Sequence, residues 1–283
     1  MAQGAWALDE IKFANRSWNG SQVKETTEAI TDYVVFLNSS TLNPGQTGHD
    51  KYWVVLPNQD ITVSDLMTIH GEVHIVLCDG ATLRCKKGIQ VNESDGAVLY
   101  IHSQSYGEQM GRLIATGDDE KAGIGGSEGA KGGTIHIMGG HIEATGGELG
   151  AGIGAGAGTL DNKQKDKPSE AGPIYIYGGT VTATGGEKAA GIGGGAAFES
   201  ASSKTGSVTI YDGTVTARGA NMAAGVGGGC KESDGSSQGG GGGGGHLTRQ
   251  QQHALLPNGD WLRSECHARL LQAEGLDGWE AFR

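Results

Sequence analysis

The sequence predicts an all-β protein whose central part is a right-handed parallel β-helix. The first observation is a glycine-rich unit that recurs between Arg112 and Gly229. Its AGIGG-like segments begin at Ala122, Ala151, Ala190 and Ala224. The second is the alternation of apolar with polar or small residues, as in Thr134–Ile137, which is the period of a half-buried strand. The third is glycine itself, 53 of 283 residues, which recurs too often for helices of ordinary length.

Each unit contains two short strands, one aliphatic plug and a loop, and stacked units place equivalent apolar residues in inward columns. Parallel crossovers are right-handed as a rule, which gives the predicted sense of the helix. The predicted columns are Leu99, Ile135, Ile174, Val208; Ile101, Ile137, Ile176, Ile210; Leu113, Ile142, Val181, Val215; and the plugs Ile124, Ile153, Ile192, Val226. The polar loop Leu160–Glu170 is expected outside, where insertions are tolerated.

Residues 1–50 are predicted to form an N-terminal cap and the first coils, because the end of a solenoid needs cover. Within this part, Lys24–Ala29 suggests the start of a short helix and Tyr33–Leu37 a strand. Trp6 and Trp18 are expected in the core of the cap.

The β-helix proper is assigned to residues 51–238, since short strands separated by turn residues begin at Tyr52, before the glycine repeat.

The C-terminal part has a different composition. Residues 239–245 are an unbroken glycine run, typical of a flexible linker. In the tail, residues 246–283, Asp260 can cap a short helix with the apolar stripe Leu262, Cys266, Leu270 and Ala273. No further coil is apparent at His246, where the next one is due. The tail is therefore either a helical C-terminal cap or, as we favour, an extension foreign to the solenoid, such as a fusion or a shifted reading frame.

Charge and hydropathy exclude several functions. A formal net charge of −11 argues against nucleic-acid binding. No stretch of 18 apolar residues is present, so no membrane insertion is predicted, and the first eight residues lack the features of a signal peptide. The oligomeric state is not predicted.

The four cysteines have no zinc-ligand spacing. They are Cys78, Cys85, Cys230 and Cys266. We expect free or inward-stacking thiols, with a Cys78–Cys85 bridge as the alternative for a secreted protein.

Two segments resemble a known class of proteins. GGTVTATGGEKAAGIGGG, Gly178–Gly195, and ITVSDLMTIHGEVHIVLCDGATLRCKKGIQV, residues 61–91, resemble the glycine-rich repeats, and the stretch before them, of large secreted or cell-wall-anchored proteins of gut Firmicutes. The resemblance covers roughly Tyr52–Gly229. It implies a pectate-lyase-like β-solenoid and an adhesin-like role in an extracellular or cell-surface setting. It assigns no functional residues.

A ligand-binding strip is predicted on the outward face of one strand column. If Ile135 and Ile137 face inward, then His136 and Met138 face outward. The aligned residues predicted to bind ligand are Tyr100, His102, His136, Tyr175, Tyr177 and Tyr211, with His74 one rung earlier. Such a strip suits sugar rings and hydroxyls, which makes a polysaccharide or host glycan the expected partner. The alternative is that Tyr and His simply occupy ordinary exposed strand positions.

Three other features carry weaker hypotheses. Threonine pairs at Thr180–Thr184 and Thr214–Thr216 are typical of ice-binding faces but occupy only two rungs. Acidic residues at Asp118–Glu120, and at Asp161, Asp166 and Glu170, suggest either calcium or a solvated loop. Arg112, Glu143 and Arg218 suggest either a lyase or hydrolase site or a cross-rung salt ladder.

The sequence therefore predicts a non-catalytic, adhesin-like surface module that binds carbohydrate, with no catalytic residue, metal or cofactor. The alternatives are a structural stalk or spacer without a ligand and, further, a polysaccharide lyase or glycoside hydrolase.

Overall fold

The chain folds into a parallel β-helix with three longitudinal sheets. The computed structural model describes residues 9–160, 166–167, 169–198, 203–220, 223–232 and 247–249. Trp6, Asp161, Cys266, the glycine linker 239–245 and the predicted helix of the tail lie outside these residues. The fold class predicted from the sequence is confirmed.

Sheet 1 contains eight strands that all run parallel. In chain order they are Val34–Val35, Tyr52–Val55, Glu72–Leu77, Val98–Ser103, Thr134–Ile137, Ile174–Ile176, Val208–Ile210 and Leu247–Arg249. The last of these is the only described part of the tail, and it pairs with Val208–Ile210 at the position due for the next coil.

Sheets 2 and 3 contain six parallel strands each. Sheet 2 consists of Asp60–Val63, Thr82–Cys85, Arg112–Thr116, His141–Thr145, Thr180–Thr184 and Thr214–Arg218. Sheet 3 consists of Met67–Thr68, Ile89–Gln90, Ile124–Gly125, Ile153–Gly154, Ile192–Gly193 and Val226–Gly227. The first coil begins at Val34 and continues through isolated bridges at Ser39 and Leu42.

Small additional elements lie in the loops. Thr159–Leu160 pairs antiparallel with Asp166–Lys167. Ser169–Glu170 pairs with Ser203–Lys204, and Ala197–Phe198 with Lys231–Glu232. A 3₁₀ turn at Glu93–Asp95 is the one helical element in the described part of the chain, where no helix is long and apolar enough to cross a membrane.

The core is a set of aliphatic columns that run along the axis. Ile137 pairs with Ile176 and Ile176 with Ile210, so the predicted register is confirmed. Ile137 and Ile176 are fully buried. Because each coil contributes only a few apolar residues, burial depends on this superposition of coils. Cys78 and Cys85 are buried in the same core as free thiols, and burial raises the pKa of Cys78 to about 12.

The N-terminal segment differs from the prediction. Val23–Ile30, which includes the proposed helix at Lys24–Ala29, is a β-strand that pairs antiparallel with Ile11–Trp18. We name these strands β1 (Ile11–Trp18) and β2 (Val23–Ile30). The helix prediction was wrong because the backbone hydrogen bonds of this segment are made with a partner strand, a tertiary effect that local propensity does not report. Trp18 lies near the tip of this hairpin, outside the cap core where it was expected.

Tight corners between coils depend on glycine. Gly154 has a φ of +139°, and a Cβ at this position would lie 2.1 Å from the carbonyl oxygen of Gly193 in the next coil. Both the backbone conformation and the space therefore require glycine.

We predict that Gly154→Ala lowers the free energy of unfolding by about 1–3 kcal/mol more than Gly96→Ala, because only the former forces two coils apart. Gly96 is the matched control: its φ is also positive, +63°, but a Cβ there meets open space. Urea midpoints of the two variants measure the difference, and equal losses would show that the close approach of coils does not constrain the fold.

Candidate functional site

The outward face of sheet 1 carries a column of aromatic rings, one from each of five successive coils. The parallel ladder pairs Tyr52 with His74, His74 with Tyr100, Tyr100 with His136, and His136 with Tyr175. Because register is fixed by backbone hydrogen bonds, side chains at paired positions project from the same side of the sheet. We call these five residues the first ring column.

The rings of this column stack on one another. His74 and Tyr100 have ring centroids 4.4 Å apart and planes 4° from parallel, and Tyr100 and His136 are 4.4 Å apart at 5°. His136 and Tyr175 continue the stack at 4.9 Å and 15°. The ring faces are therefore occupied by neighbouring rings, and the edges, with the phenol hydroxyls and imidazole nitrogens, are left for other partners.

A second column runs beside the first, two residues further along each strand. It consists of His102, Met138, Tyr177 and Tyr211. Tyr177 and Tyr211 stack at 4.7 Å, whereas His102 and Met138 are only 1% and 5% exposed. Outward-facing residues on a sheet are buried to this degree only when another part of the chain covers them.

The covering element is the β1–β2 hairpin, which lies along the solenoid axis over both columns. Phe13 is fully buried. Its ring packs against that of His102 in an edge-to-face arrangement, with the ring centroids 4.7 Å apart. Further along β1, Arg16 lies 3.6 Å above the ring of Tyr106 and donates to the carbonyl oxygen of Tyr177 at 3.3 Å. Near the tip, Trp18 stacks on Tyr211 at 5.2 Å. Within the described residues, no hydrogen bond joins the backbone of the hairpin to the backbone of the coils, so contacts made by side chains hold the hairpin in place.

A cleft of about 380 Å³ lies between the hairpin and the two columns. Asn15, Arg16, Ser17 and Glu28 form its hairpin wall, and the ring columns with Glu72 form the opposite wall. This volume falls in the range typical of small-molecule sites, about 300–1,000 Å³. The mixture of aromatic edges and polar groups is also typical of such sites.

A hydrogen-bonded chain of three residues lies on the coil side of the cleft. His74 Nε2 is 3.0 Å from Glu72 Oε1, and His74 Nδ1 is 3.0 Å from His102 Nε2. A carboxylate only accepts hydrogen bonds, so Glu72 favours a proton on His74 Nε2. At the other end of the chain, a hydrogen bond to the backbone of Ala14 favours a proton on His102 and acts to raise its pKa, against the larger effect of burial. The two imidazoles thus lie between an acceptor on the coil and an acceptor on the hairpin.

Burial keeps these imidazoles neutral at ordinary pH. It lowers the pKa of His102 to about 3 and that of His136 to about 4, and it also lowers the pKa of His74. Glu72 has the opposite preference: its hydrogen bond from Lys51 lowers the carboxyl pKa and keeps it charged. Burial raises the pKa of Tyr177 to about 12, so its hydroxyl remains a donor.

The structure brings the predicted site residues onto one face, in a different setting from the open strip expected. Tyr100, His136, Tyr175, Tyr177 and Tyr211 are half-buried. His102 is buried beneath Phe13, and the hairpin turns the strip into the floor of a cleft.

Sequence reasoning missed the hairpin residues of this face, and also Tyr52 and Glu72. Residues 11–18 were assigned only to the N-terminal cap, and nothing in the sequence indicated where this segment docks. Tyr52, by contrast, was available from the same register argument that found His74.

The other candidate features are separate from the cleft. Arg112 and Glu143 form an exposed ion pair across adjacent coils, in keeping with a salt ladder. Arg218 is not in the same column of the sheet: in the strand register it lies opposite Thr184. The threonines Thr180, Thr182 and Thr184 align with Thr214, Thr216 and Arg218. No group of three or more His, Cys, Asp or Glu side chains able to hold a metal ion occurs in the part of the chain that the structure describes.

Comparison with known proteins agrees with this architecture. Residues 135–157, 174–196 and 208–230 each match the family model described as a beta helix repeat. No curated protein and no solved structure gives a significant match. The matched stretches begin in sheet 1, pass through sheet 2 and end just beyond sheet 3, so each is about one coil.

We predict that Phe13→Ala releases the hairpin, since Phe13 is its only fully buried ring and contacts made by side chains attach the hairpin to the coils. Amides in β1 and β2 should exchange with solvent faster, while the amides of sheet 1 keep their protection. Thr26→Ala on the exposed strand β2 is the control. Unchanged exchange in the hairpin of Phe13→Ala would contradict this account of its attachment.

A second prediction concerns pH. The folded pKa of His102, about 3, lies below the ordinary value of about 6.5. Its contribution to stability is therefore complete above pH ~6.5 and falls as the pH drops toward 3, because only the unfolded chain takes up the proton. We expect the wild type to lose about 2 kcal/mol more than His102→Met between pH 7.5 and pH 5. Methionine is the natural occupant of this column one coil later, at Met138.

Urea unfolding at the two pH values measures this difference. For each protein, the quantity compared is the change in the free energy of unfolding between the two pH values. The His102→Met variant lacks the hydrogen bond to His74 at both pH values, so that loss cancels in the comparison. Parallel pH profiles for the two proteins would show that His102 titrates normally in the fold.

Proposed function

We propose that this protein is a non-catalytic, adhesin-like module that binds a saccharide chain in the cleft between the β1–β2 hairpin and the ring columns. The observation that carries the proposal is the cleft itself. A face that a hairpin could have sealed retains about 380 Å³ of space, bordered by phenol, imidazole, amide and carboxylate groups.

The chemistry of the walls suits a sugar. Sugar hydroxyls donate and accept hydrogen bonds, and the edges of Tyr100 and His136 offer both functions from a rigid stack. Because each ring is fixed by its neighbours at 4.4–4.9 Å, few rotamers are lost when a ligand binds, which favours affinity. Stacking of sugars on open ring faces, the mode expected from the sequence, is restricted because the rings already stack on each other.

The absence of a catalytic role is part of the proposal. Glycoside hydrolysis generally requires two carboxylates that flank the scissile bond, one of them protonated. In the cleft, Glu72 is held by Lys51 at 2.6 Å and by His74, and Lys51 keeps it ionised. Glu28 is hydrogen-bonded to Asn15. These engagements favour recognition of a ligand over acid catalysis.

The resemblance to repeats of secreted and cell-wall proteins supports an extracellular or cell-surface setting for this module, with a polysaccharide or host glycan as its partner.

A structural stalk is the second candidate. The mutual stacking of the rings favours it, because stacked aromatic columns stabilise coil-to-coil packing without any ligand. In that case the cleft would be an incidental gap beneath the hairpin.

The test is a glycan array followed by calorimetric titration of the oligosaccharides that bind. We predict that Tyr100→Phe and Tyr177→Phe each weaken binding about fivefold, since each removes one hydroxyl hydrogen bond worth about 1 kcal/mol and keeps the ring stack. Thr182→Val on sheet 2, a similar loss of one outward hydroxyl, should leave binding unchanged. Absence of binding to any glycan at millimolar concentration would leave the stalk as the better interpretation.

A further inference from the structure

We propose that the cleft selects amine-bearing saccharides, of the glucosamine type, over neutral sugars and over uronates. This inference rests on the proposed function and specifies its ligand. It follows from the charges that border the cleft.

The cationic side chains near the cleft are already engaged. Arg16 lies over Tyr106, donates to the carbonyl of Tyr177, and is within 3.5 Å of Glu25 and 3.8 Å of Asp212. Lys51 is paired with Glu72 at 2.6 Å. A uronate carboxylate would therefore have to compete with existing ion pairs for either cation.

One carboxylate has no cationic partner in the structure described. Glu28, on β2, accepts a hydrogen bond from the neutral amide of Asn15, and no ion pair to it is formed within the described residues. It borders the cleft opposite the rings, close enough to Tyr52 and His74 to act on both electrostatically. Glu28 and Glu72 thus border the same space from opposite walls, and Glu28 adds an uncompensated negative charge.

An ammonium group complements such a surface. It carries a positive charge with three donors and no acceptor, whereas a neutral sugar hydroxyl carries no charge. Hydrogen bonds between ions are roughly twice as strong as neutral ones. A uronate carboxylate, which only accepts, would meet like charge from Glu28 and Glu72.

The experiment compares four short oligosaccharides of equal length by titration calorimetry at pH 6 and 150 mM salt: glucosamine, N-acetylglucosamine, glucose and galacturonate oligomers. We expect the glucosamine oligomer to bind about tenfold more tightly than the glucose oligomer, and the galacturonate oligomer to bind more weakly than both. Glu28→Gln should reduce the preference for the glucosamine oligomer over the glucose oligomer to about twofold.

Two controls separate a specific site from the general attraction of cations to an acidic protein. Glu187→Gln changes the net charge by the same amount at an exposed position outside the cleft, and it should retain the tenfold preference. Spermidine, a polyamine without a sugar, should not compete with the glucosamine oligomer at equal concentration.

The outcomes are distinguishable. Equal binding of the amine and neutral oligomers, a preference for galacturonate, a Glu28→Gln variant that behaves like Glu187→Gln, or full competition by spermidine would overturn the amine selectivity and leave saccharide binding standing. Failure of all four oligomers, together with a negative glycan array, would overturn the proposed function and this inference with it.

Discussion

The parallel hydrogen-bond ladder between successive coils determines the position of every other feature of this protein. Strands in such a ladder are about 4.8 Å apart, and each paired position repeats at that spacing along the axis. Inside the solenoid this brings Ile137, Ile176 and Ile210 into one column. Outside, the same spacing matches the contact distance of aromatic rings, so His74, Tyr100 and His136 stack at 4.4 Å. Glycine at the corners allows the coils to approach closely enough for the ladder to form.

The hairpin makes one part of this regular surface different from the rest. Without it, both ring columns would face solvent along their full length. With it, His102 is buried, the three imidazoles of the face are neutral, and a cleft with its own charge distribution is formed. The hairpin, which does not repeat, therefore creates a distinct site on the repeated coils, and the candidate site lies between the two. Loops on repeat proteins commonly have the same relation to their scaffold.

The sequence predicted what the ladder controls. The AGIGG spacing located the plugs Ile124, Ile153 and Ile192, and the alternation around Ile135 and Ile137 located the outward His136 and its neighbours. It did not predict the orientation of the rings, which depends on side-chain rotamers, nor the docking of the hairpin. The contact between Phe13 and His102 joins residues far apart in the chain, and the hairpin is not part of the repeat, so no comparison between coils could reveal it.

The extent of β1 along the axis has a consequence for how this protein can change over evolution. Contacts of β1 begin at Tyr52, near Phe13, and end at Tyr211, near Trp18. Phe13 and Trp18 are five residues apart, a reach of about 17 Å in an extended strand, and their large side chains cover the rest of the distance between those two coils. Solenoids commonly lengthen by duplicating a whole coil. A duplication between Tyr52 and Tyr211 would move one anchor out of reach of the other, so we expect related chains with more coils in this interval to carry a hairpin longer in proportion, or none.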